Sequence, residues 1–138
     1  MSGFLLDTNI LSEIRKRQRA NPHVLRWLAA VDDSDIFVSV LVLGEIRKGI
    51  EQSRLSDLSK AQALERWLNG LERIYSDRLL SVTPAIADLW GRLAAPRPLS
   101  IIDGLLAATA LAHDLTLVTR NVQHVSRTGV KLLNPFMP

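Results

Sequence analysis

The 138-residue sequence contains no cysteine, which excludes disulfide bonds and thiolate metal sites. Its three histidines, His23, His113 and His124, are scattered and lack the spacing of zinc ligands, so we do not expect a zinc site. No apolar run is long enough to cross a bilayer, and no signal peptide precedes the first predicted strand. We therefore expect a cytoplasmic protein that does not associate with membranes.

The composition is that of one ordinary folded domain spanning residues 1–138. Hydrophobic residues make up 47% of the chain and charged residues 22%, which argues against disorder. The net charge of +3 permits a polyanionic partner without requiring one. The mean hydropathy of +0.11 is high for a soluble chain of this size, so we expect another chain to cover some apolar surface.

The opening stretch, Phe4-Leu5-Leu6-Asp7-Thr8-Asn9, organises the rest of the prediction. A short apolar run bounded by turn-forming polar residues is typical of a buried strand. Asp7 would then lie at the carboxyl end of that strand, where open α/β sheets place their ligand crevice.

Strands and helices are predicted to alternate along the rest of the chain. Apolar runs predict further strands at 36–38, 79–82, 115–118 and 130–133. Helical periodicity or N-terminal cap signals predict the intervening helices, with starts at Asn21-Pro22 and Thr83-Pro84 and a nearly all-apolar helix at 101–112. This alternation indicates an α/β fold with a parallel sheet covered on both faces.

Three acidic residues fall at positions of interest, and each has a structural alternative. Asp7 could cap the helix that follows it. Glu45, early in the helix after the second strand, could interact with the helix dipole or with Lys48. Asp103 could pair with Ser100 in a capping arrangement at the start of the apolar helix.

Capping is the weakest of these explanations for Asp103, since its helix offers no basic partner within reach. An unpaired buried carboxylate costs several kcal/mol, whereas a cap contributes only about 1 kcal/mol. A divalent ion shared with Asp7 and Glu45 would supply the missing positive charge. Hard oxygen ligands favour Mg²⁺ or Mn²⁺, which bind phosphate oxygens and activate water for phosphodiester hydrolysis.

Asn9 excludes two other aspartate chemistries. An aspartyl-phosphate phosphatase of the Asp-x-Asp-x-Thr type requires a second acid at this position. An aspartic protease requires Asp-Thr-Gly or a similar motif, which Asn9 also breaks.

Several ordered blocks of the chain resemble the motifs of PIN-domain proteins, and most closely those of VapC/FitB-like toxins of type II toxin–antitoxin systems. The blocks cover essentially the whole chain and lie at 5–13, 44–49, 102–110, 115–121 and 133–136. The resemblance implies a three-layer PIN-like fold, with a central, mostly parallel sheet of four or five strands flanked by helices.

The resemblance also implies a function and a set of site residues. The implied protein is a Mg²⁺-dependent endoribonuclease toxin that hydrolyses RNA with a metal-activated water, forms a homodimer and is held inactive by a small cognate antitoxin. Asp7, Glu45 and Asp103 match the three leading acids of such proteins. Thr8 matches a hydroxyl that orders the first acid or a metal-bound water.

One departure concerns the fourth acid, which many relatives carry after the fourth strand. This chain has Asn121 at one of the two usual positions and His124 at the other. The amide of Asn121 could still act as a ligand or hold a water, but it adds no charge, which argues against a second metal. We interpret His124 as a loop residue rather than a ligand.

Arginines near the predicted site are candidates for RNA binding. They are Arg47, Arg97 and Arg120, with the basic run 15–19 as a further candidate, although charge runs are usually solvated. The three tryptophans lie at helical core spacing and are interpreted as packing residues. The alternative hypotheses are a catalytically weak PIN-like module that binds nucleic acid or a partner protein, and a nuclease that acts on DNA.

Overall fold

A computed structural model describes residues 3–138, so the first two residues of the predicted domain lie outside the described part. Five parallel strands form one sheet in the order β3-β2-β1-β4-β5. They are β1 (Gly3–Leu6), β2 (Ile36–Ser39), β3 (Leu79–Leu80), β4 (Leu115–Val118) and β5 (Leu132–Leu133). Strand β1 is central, and Leu5 pairs with Phe37 on one side and Leu117 on the other.

Seven α-helices flank the sheet within the described residues, which confirms the predicted α/β fold. They are α1 (Thr8–Arg15), α2 (Pro22–Ala30), α3 (Val40–Arg54), α4 (Leu58–Ile74), α5 (Pro84–Ala94), α6 (Ile101–Ala112) and α7 (Val122–Val125). Short 3-10 turns occur at Arg17–Arg19, Asp33–Asp35 and Ser126–Thr128.

The helix starts follow from side-chain caps that the sequence supplies. Asn21 Oδ1 accepts a hydrogen bond from the amide of His23, and Thr83 Oγ1 accepts one from the amide of Ile86. Each cap satisfies an amide that has no partner within its own helix, and Pro22 and Pro84 occupy first-turn positions that need no amide hydrogen. Both predicted helix starts are therefore confirmed.

The core lies between the sheet and its helices. Central-strand residues such as Leu5, Leu6 and Val118 are completely buried, because β1 and β4 have neighbours on both edges and helices against them. Trp27 packs edge-on against Phe4 with the ring centroids 5.3 Å apart. This contact agrees with its interpretation as a packing residue.

Two predicted strands are shorter in the structure, and one helix was not predicted. The strand predicted at 79–82 ends at Leu80, and the one predicted at 130–133 is confined to Leu132–Leu133. Helix α7 was not predicted. Among the described helices, none has the length and apolar character needed to cross a membrane.

Candidate active site

Asp7 lies directly beyond β1 and is held by hydrogen bonds to both carboxylate oxygens. Its Oδ1 accepts from the Thr8 amide at 2.7 Å, so it also forms the N-cap of α1. Its Oδ2 accepts from the Thr119 hydroxyl at 2.7 Å and from the Asn9 amide group at 3.2 Å. Burial raises the pKa of Asp7, and the nearby negative charge of Asp103 raises it further, against the effect of these hydrogen bonds.

Glu45 reaches the same region from the first half of α3. Its Oε1 accepts a hydrogen bond of 2.5 Å from the hydroxyl of Thr8. The resemblance implied that the Thr8 hydroxyl orders the first acid or a water, but the structure directs it to Glu45. Thr8 contacts Asp7 only through its backbone amide among the described hydrogen bonds. One residue therefore fixes two of the three acids.

Asp103 occupies the first turn of α6, with its side chain 20% exposed. It is therefore less buried than the apolar sequence around it suggested, because it lies at the open end of the helix. The Ser100 side chain makes no capping hydrogen bond to α6, so the capping alternative for this pair is not observed. The Nδ1 atom of His124, on α7, lies 3.5 Å from Asp103 Oδ2.

Asn121 is placed by the turn that follows β4. Its backbone amide donates to the Thr119 hydroxyl at 3.0 Å, and that same hydroxyl donates to Asp7. Asn121 thus lies two residues beyond Thr119, the residue that positions the first acid. It is exposed to solvent at the rim of the site.

These residues meet around one open cavity of about 420 Å³. All five predicted catalytic residues line it, although they come from four separate segments of the chain: Asp7, Thr8, Glu45, Asp103 and Asn121. Within residues 3–138, no three His, Asp or Glu side chains stand close enough together to hold a metal ion as they are. The acids share a cavity without forming a closed ligand cage.

Comparison with known proteins identifies the family. A profile of the PIN domain matches residues 4–130. The chain belongs to the PIN-domain family. The plasmid stability protein StbB of Pseudomonas syringae pv. tomato is 33% identical to it, over 96% of this chain and 98% of the relative.

Two further relatives also match nearly the full length of this PIN domain. The toxin FitB of Neisseria gonorrhoeae is 28% identical over 96% of this chain and 98% of its own. The crystal structure of FitAcB from that organism superposes with a TM-score of 0.86 at 27% identity, covering 98% of this chain and 99% of the other. The VapC ribonuclease Y4jK of Sinorhizobium fredii is 27% identical, over 98% and 99% of the two chains.

The predicted RNA-binding arginines of the PIN domain do not line the cavity. Arg47 pairs with Glu65, with an Nη2 to Oε2 distance of 2.5 Å, and also with Glu51, so these acids occupy its guanidinium. The guanidinium of Arg120 lies over the ring of Phe136 at 4.6 Å. Arg97 is exposed on the loop between α5 and α6. Their predicted role in RNA binding stays a prediction.

Sequence reasoning missed other polar groups of the site. Helix α1 presents Ser12 and Glu13 to the cavity, and Lys16, the residue that follows the helix, also lines it. The four-residue step from Ser12 to Lys16 and the position of Asn9 could have indicated this face. Thr119 follows β4 as Asp7 follows β1, which was the available signal for its role.

Proposed function

We propose that this PIN domain is a Mg²⁺- or Mn²⁺-dependent endoribonuclease that acts as the toxin of a toxin–antitoxin pair. The observation that carries the proposal is the convergence of Asp7, Glu45 and Asp103 on one cavity. The names of two relatives support it, since one is a VapC ribonuclease and another is a toxin.

The donor set fits a hard divalent cation. Four carboxylates, two amides and two hydroxyls line the cavity, and all of them supply oxygen atoms, while Lys16 adds one positive charge. Two of the acids repel one another, and this repulsion from Asp103 adds to the effect of burial in raising the pKa of Asp7. Mg²⁺ keeps several waters and needs only one or two protein carboxylates, so a loosely arranged set of acids suits it.

When bound, such an ion neutralises phosphate oxygens and lowers the pKa of water at the site. The chain's own residues would prepare this chemistry. Thr119 and the Thr8 amide hold the Asp7 carboxylate in one orientation, while the Thr8 hydroxyl holds Glu45. Lys16 lies on the cavity wall, where its ammonium pairs with Glu13 at 2.9 Å.

Cleavage of structured RNA by the purified protein tests this proposal. We expect cleavage with Mg²⁺ or Mn²⁺, and loss of cleavage with EDTA and in Asp7→Asn. Asparagine retains an oxygen for the α1 cap but loses the second acceptor that Thr119 uses, so some loss of stability is expected. Loss of activity in a variant that circular dichroism shows to be folded at the assay temperature would identify a role in the reaction. RNA that stays intact throughout would contradict the proposal and favour the binding module, and cleavage of single-stranded DNA alone would favour a deoxyribonuclease.

A second cavity supports the proposed antitoxin partner. This groove, of about 700 Å³, runs between α1 and α4 and has Leu11, Trp67 and Leu71 among its apolar lining residues. Four arginines also line it, and none has a carboxylate within ion-pair distance in the described part of the chain: Arg15, Arg17, Arg19 and Arg66. We propose that the groove binds an acidic antitoxin segment with apolar side chains.

Charge reversal in the groove tests the partner. A small protein encoded in a neighbouring overlapping reading frame, co-purified with this chain, is the candidate antitoxin. We expect the double variant Arg19→Glu, Arg66→Glu to weaken the complex, while the matched control Arg26→Glu, an exposed arginine outside the groove, leaves it intact. Equal binding by all three proteins would contradict this docking site.

We also propose a homodimer. Several large apolar side chains are exposed in the described structure, including Leu55 at 89%, Ile101 at 62% and Leu58 at 58%. Exposed apolar surface of this kind is stabilised when a second chain covers it. Light scattering that detects only monomers at every concentration would contradict the dimer.

A further inference from the structure

Glu13 and Lys16 form an ion pair on the wall of the candidate active-site cavity. The Glu13 side chain is 11% exposed, and both of its oxygens accept hydrogen bonds: Oε2 from the Asn21 amide at 2.8 Å and Oε1 from Lys16 Nζ at 2.9 Å. The Lys16 side chain is 55% exposed, and its ammonium makes no other hydrogen bond among those of the described residues. An ammonium has three N–H donors, so Glu13 fixes its position and leaves donors for a ligand.

The charges around the cavity make this ammonium important for a polyanionic substrate. Four acids line the cavity, and Lys16 is the one basic residue among the described residues that line it. Such a balance of charge repels a phosphodiester strand, and each phosphate that enters needs a cation facing it. A divalent ion at Asp7, Glu45 and Asp103 supplies that cation for the phosphate that is cleaved.

The ammonium lies well away from the candidate metal ligands. Asp7 is the N-cap of α1 and Lys16 is its C-cap, and helical side chains point back toward the N-terminus. The partner of the ammonium, Glu13, is six residues from Asp7, which corresponds to about 9 Å along the helix axis. Mg²⁺ binds oxygen ligands at about 2.1 Å. The phosphate held by an ion at Asp7 therefore differs from the phosphate that Lys16 can reach.

We propose that Lys16, positioned by Glu13, binds the RNA phosphate next to the one that is cleaved, so that the enzyme requires a charged linkage on that side of the cut. The inference rests on the proposed function and deepens it, since it names the part of the substrate that is recognised beyond the metal. Lysine suits this contact because its compact charge binds phosphate without the fixed geometry of an arginine fork. A contact with phosphate carries no base preference, and a dinucleotide with a single phosphodiester is a poor substrate.

The salt dependence of RNA binding tests the contact without relying on cleavage. The probe is a short fluorescent single-stranded RNA of mixed sequence in Ca²⁺, which also binds oxygen ligands, with gel electrophoresis to check that the RNA stays intact. Each lost phosphate contact reduces the slope of log K against log salt concentration by about 0.7 for single strands. We expect Lys16→Gln to show this reduction and to bind about fivefold more weakly at low salt.

Lys131→Gln is the matched control for charge removal. Lys131 is 54% exposed and lies 2.9 Å from Asp114, which reproduces the exposure and pairing of Lys16, but it does not line the cavity. We expect its slope to equal that of the wild type. Both lysines are exposed, so we expect both variants to fold, which circular dichroism would check.

Replacing single RNA phosphates with neutral methylphosphonates locates the contact. In the wild type, neutralising the linkage next to the cut should lower kcat/KM by about the same fivefold factor. In Lys16→Gln, the same replacement should have little further effect, because the charge that it pairs with is already gone. Lys16→Arg should keep most of the wild-type sensitivity. Glu13→Gln should raise KM more than it lowers kcat, as expected of a residue that acts through substrate binding.

The outcomes separate this inference from the proposed function. If the wild type cleaves RNA but Lys16→Gln keeps the wild-type slope and the same sensitivity to every neutral linkage, Lys16 does not bind the substrate and the nuclease stands. Equal losses of slope in Lys16→Gln and Lys131→Gln would also overturn the inference, since they would reflect net charge alone. If RNA binding depends on Lys16 but no RNA is cleaved with Mg²⁺ or Mn²⁺, the contact belongs to a binding module and the nuclease function is wrong.

Discussion

Replacing Thr119 with valine should destabilise the protein through one lost hydroxyl. The Thr119 side chain is 1% exposed, and its oxygen donates to Asp7 at 2.7 Å while accepting from the Asn121 amide at 3.0 Å. Valine has nearly the same shape, so the substitution removes these two hydrogen bonds, and a longer one of 3.5 Å from Asn9, without opening a cavity. Asp7 is itself only 6% exposed, and water would not readily replace the lost donor.

The size of the effect follows from the charge of the acceptor. A hydrogen bond to a charged group contributes about 1.5–3 kcal/mol, about twice the value for a neutral pair. The Asn121 amide is partly exposed and can turn to solvent, so its loss adds less. We expect Thr119→Val to lower the free energy of unfolding by about 2–3 kcal/mol, and the Tm by on the order of 10 °C.

Urea unfolding at neutral pH measures this change. Thr116→Val, within β4 three residues before Thr119 and without a side-chain hydrogen bond in the described structure, controls for replacing a threonine by valine in this part of the chain. Thr119→Ser, which keeps the hydroxyl, should recover most of the loss. A loss below about 1 kcal/mol in Thr119→Val, equal to that of the control, would refute the reasoning that this bond orients Asp7.

Three further predictions concern single residues. Hydrogen bonds, chiefly from Lys16, lower the pKa of Glu13 in the folded protein. The carboxylate therefore stabilises the fold above its unfolded pKa, and this contribution is lost as the pH falls through the folded pKa. Glu13→Gln should lower the midpoint of urea unfolding near pH 7, and the difference should shrink below about pH 4. Asn121→Asp should tighten Mn²⁺ binding in calorimetry, and an unchanged affinity would count against its place at the metal. Gly104→Ala should destabilise the protein, because a Cβ would lie 2.9 Å from a Trp90 carbon. Gly49→Ala should stabilise it by about 0.5–1 kcal/mol, because nothing lies within 4 Å of the added Cβ. Thermal melts in which both variants shift the Tm equally would contradict this pair of predictions.

Local sequence signals were sufficient for most of the fold. Strands β1, β2 and β4 are short apolar runs that end in turn-forming residues, and the caps at Asn21 and Thr83 mark two helix starts without reference to the rest of the chain. The extents of β3 and β5 were harder to predict. Each pairs with only one neighbour at the edge of the sheet, so strand pairing rather than residue type decides where it ends.

The sequence predicted which residues form the site, but not all of the contacts between them. The rule that ligands gather at the carboxyl ends of parallel strands was enough to place Asp7 and Asn121 at one cavity. The partners of Thr8 and Asp103 could not be inferred, because Glu45 and His124 belong to other helices. Those pairings depend on how α3 and α7 pack, which no local pattern specifies.

The segments around the cavity differ in their backbone hydrogen bonds to the sheet. The amide of Asp7 donates to the Val118 carbonyl and that of Thr119 to the Leu133 carbonyl, so both prolong the hydrogen-bonding ladder of the sheet. Helix α7, which carries His124, makes no backbone hydrogen bond to a strand among those of the described residues. The amide hydrogens of Asp7 and Thr119 should exchange only through global unfolding, whereas those of α7 should exchange through local opening. Substitutions at the exposed positions of α7 should therefore disturb folding less than substitutions at Asp7 or Thr119.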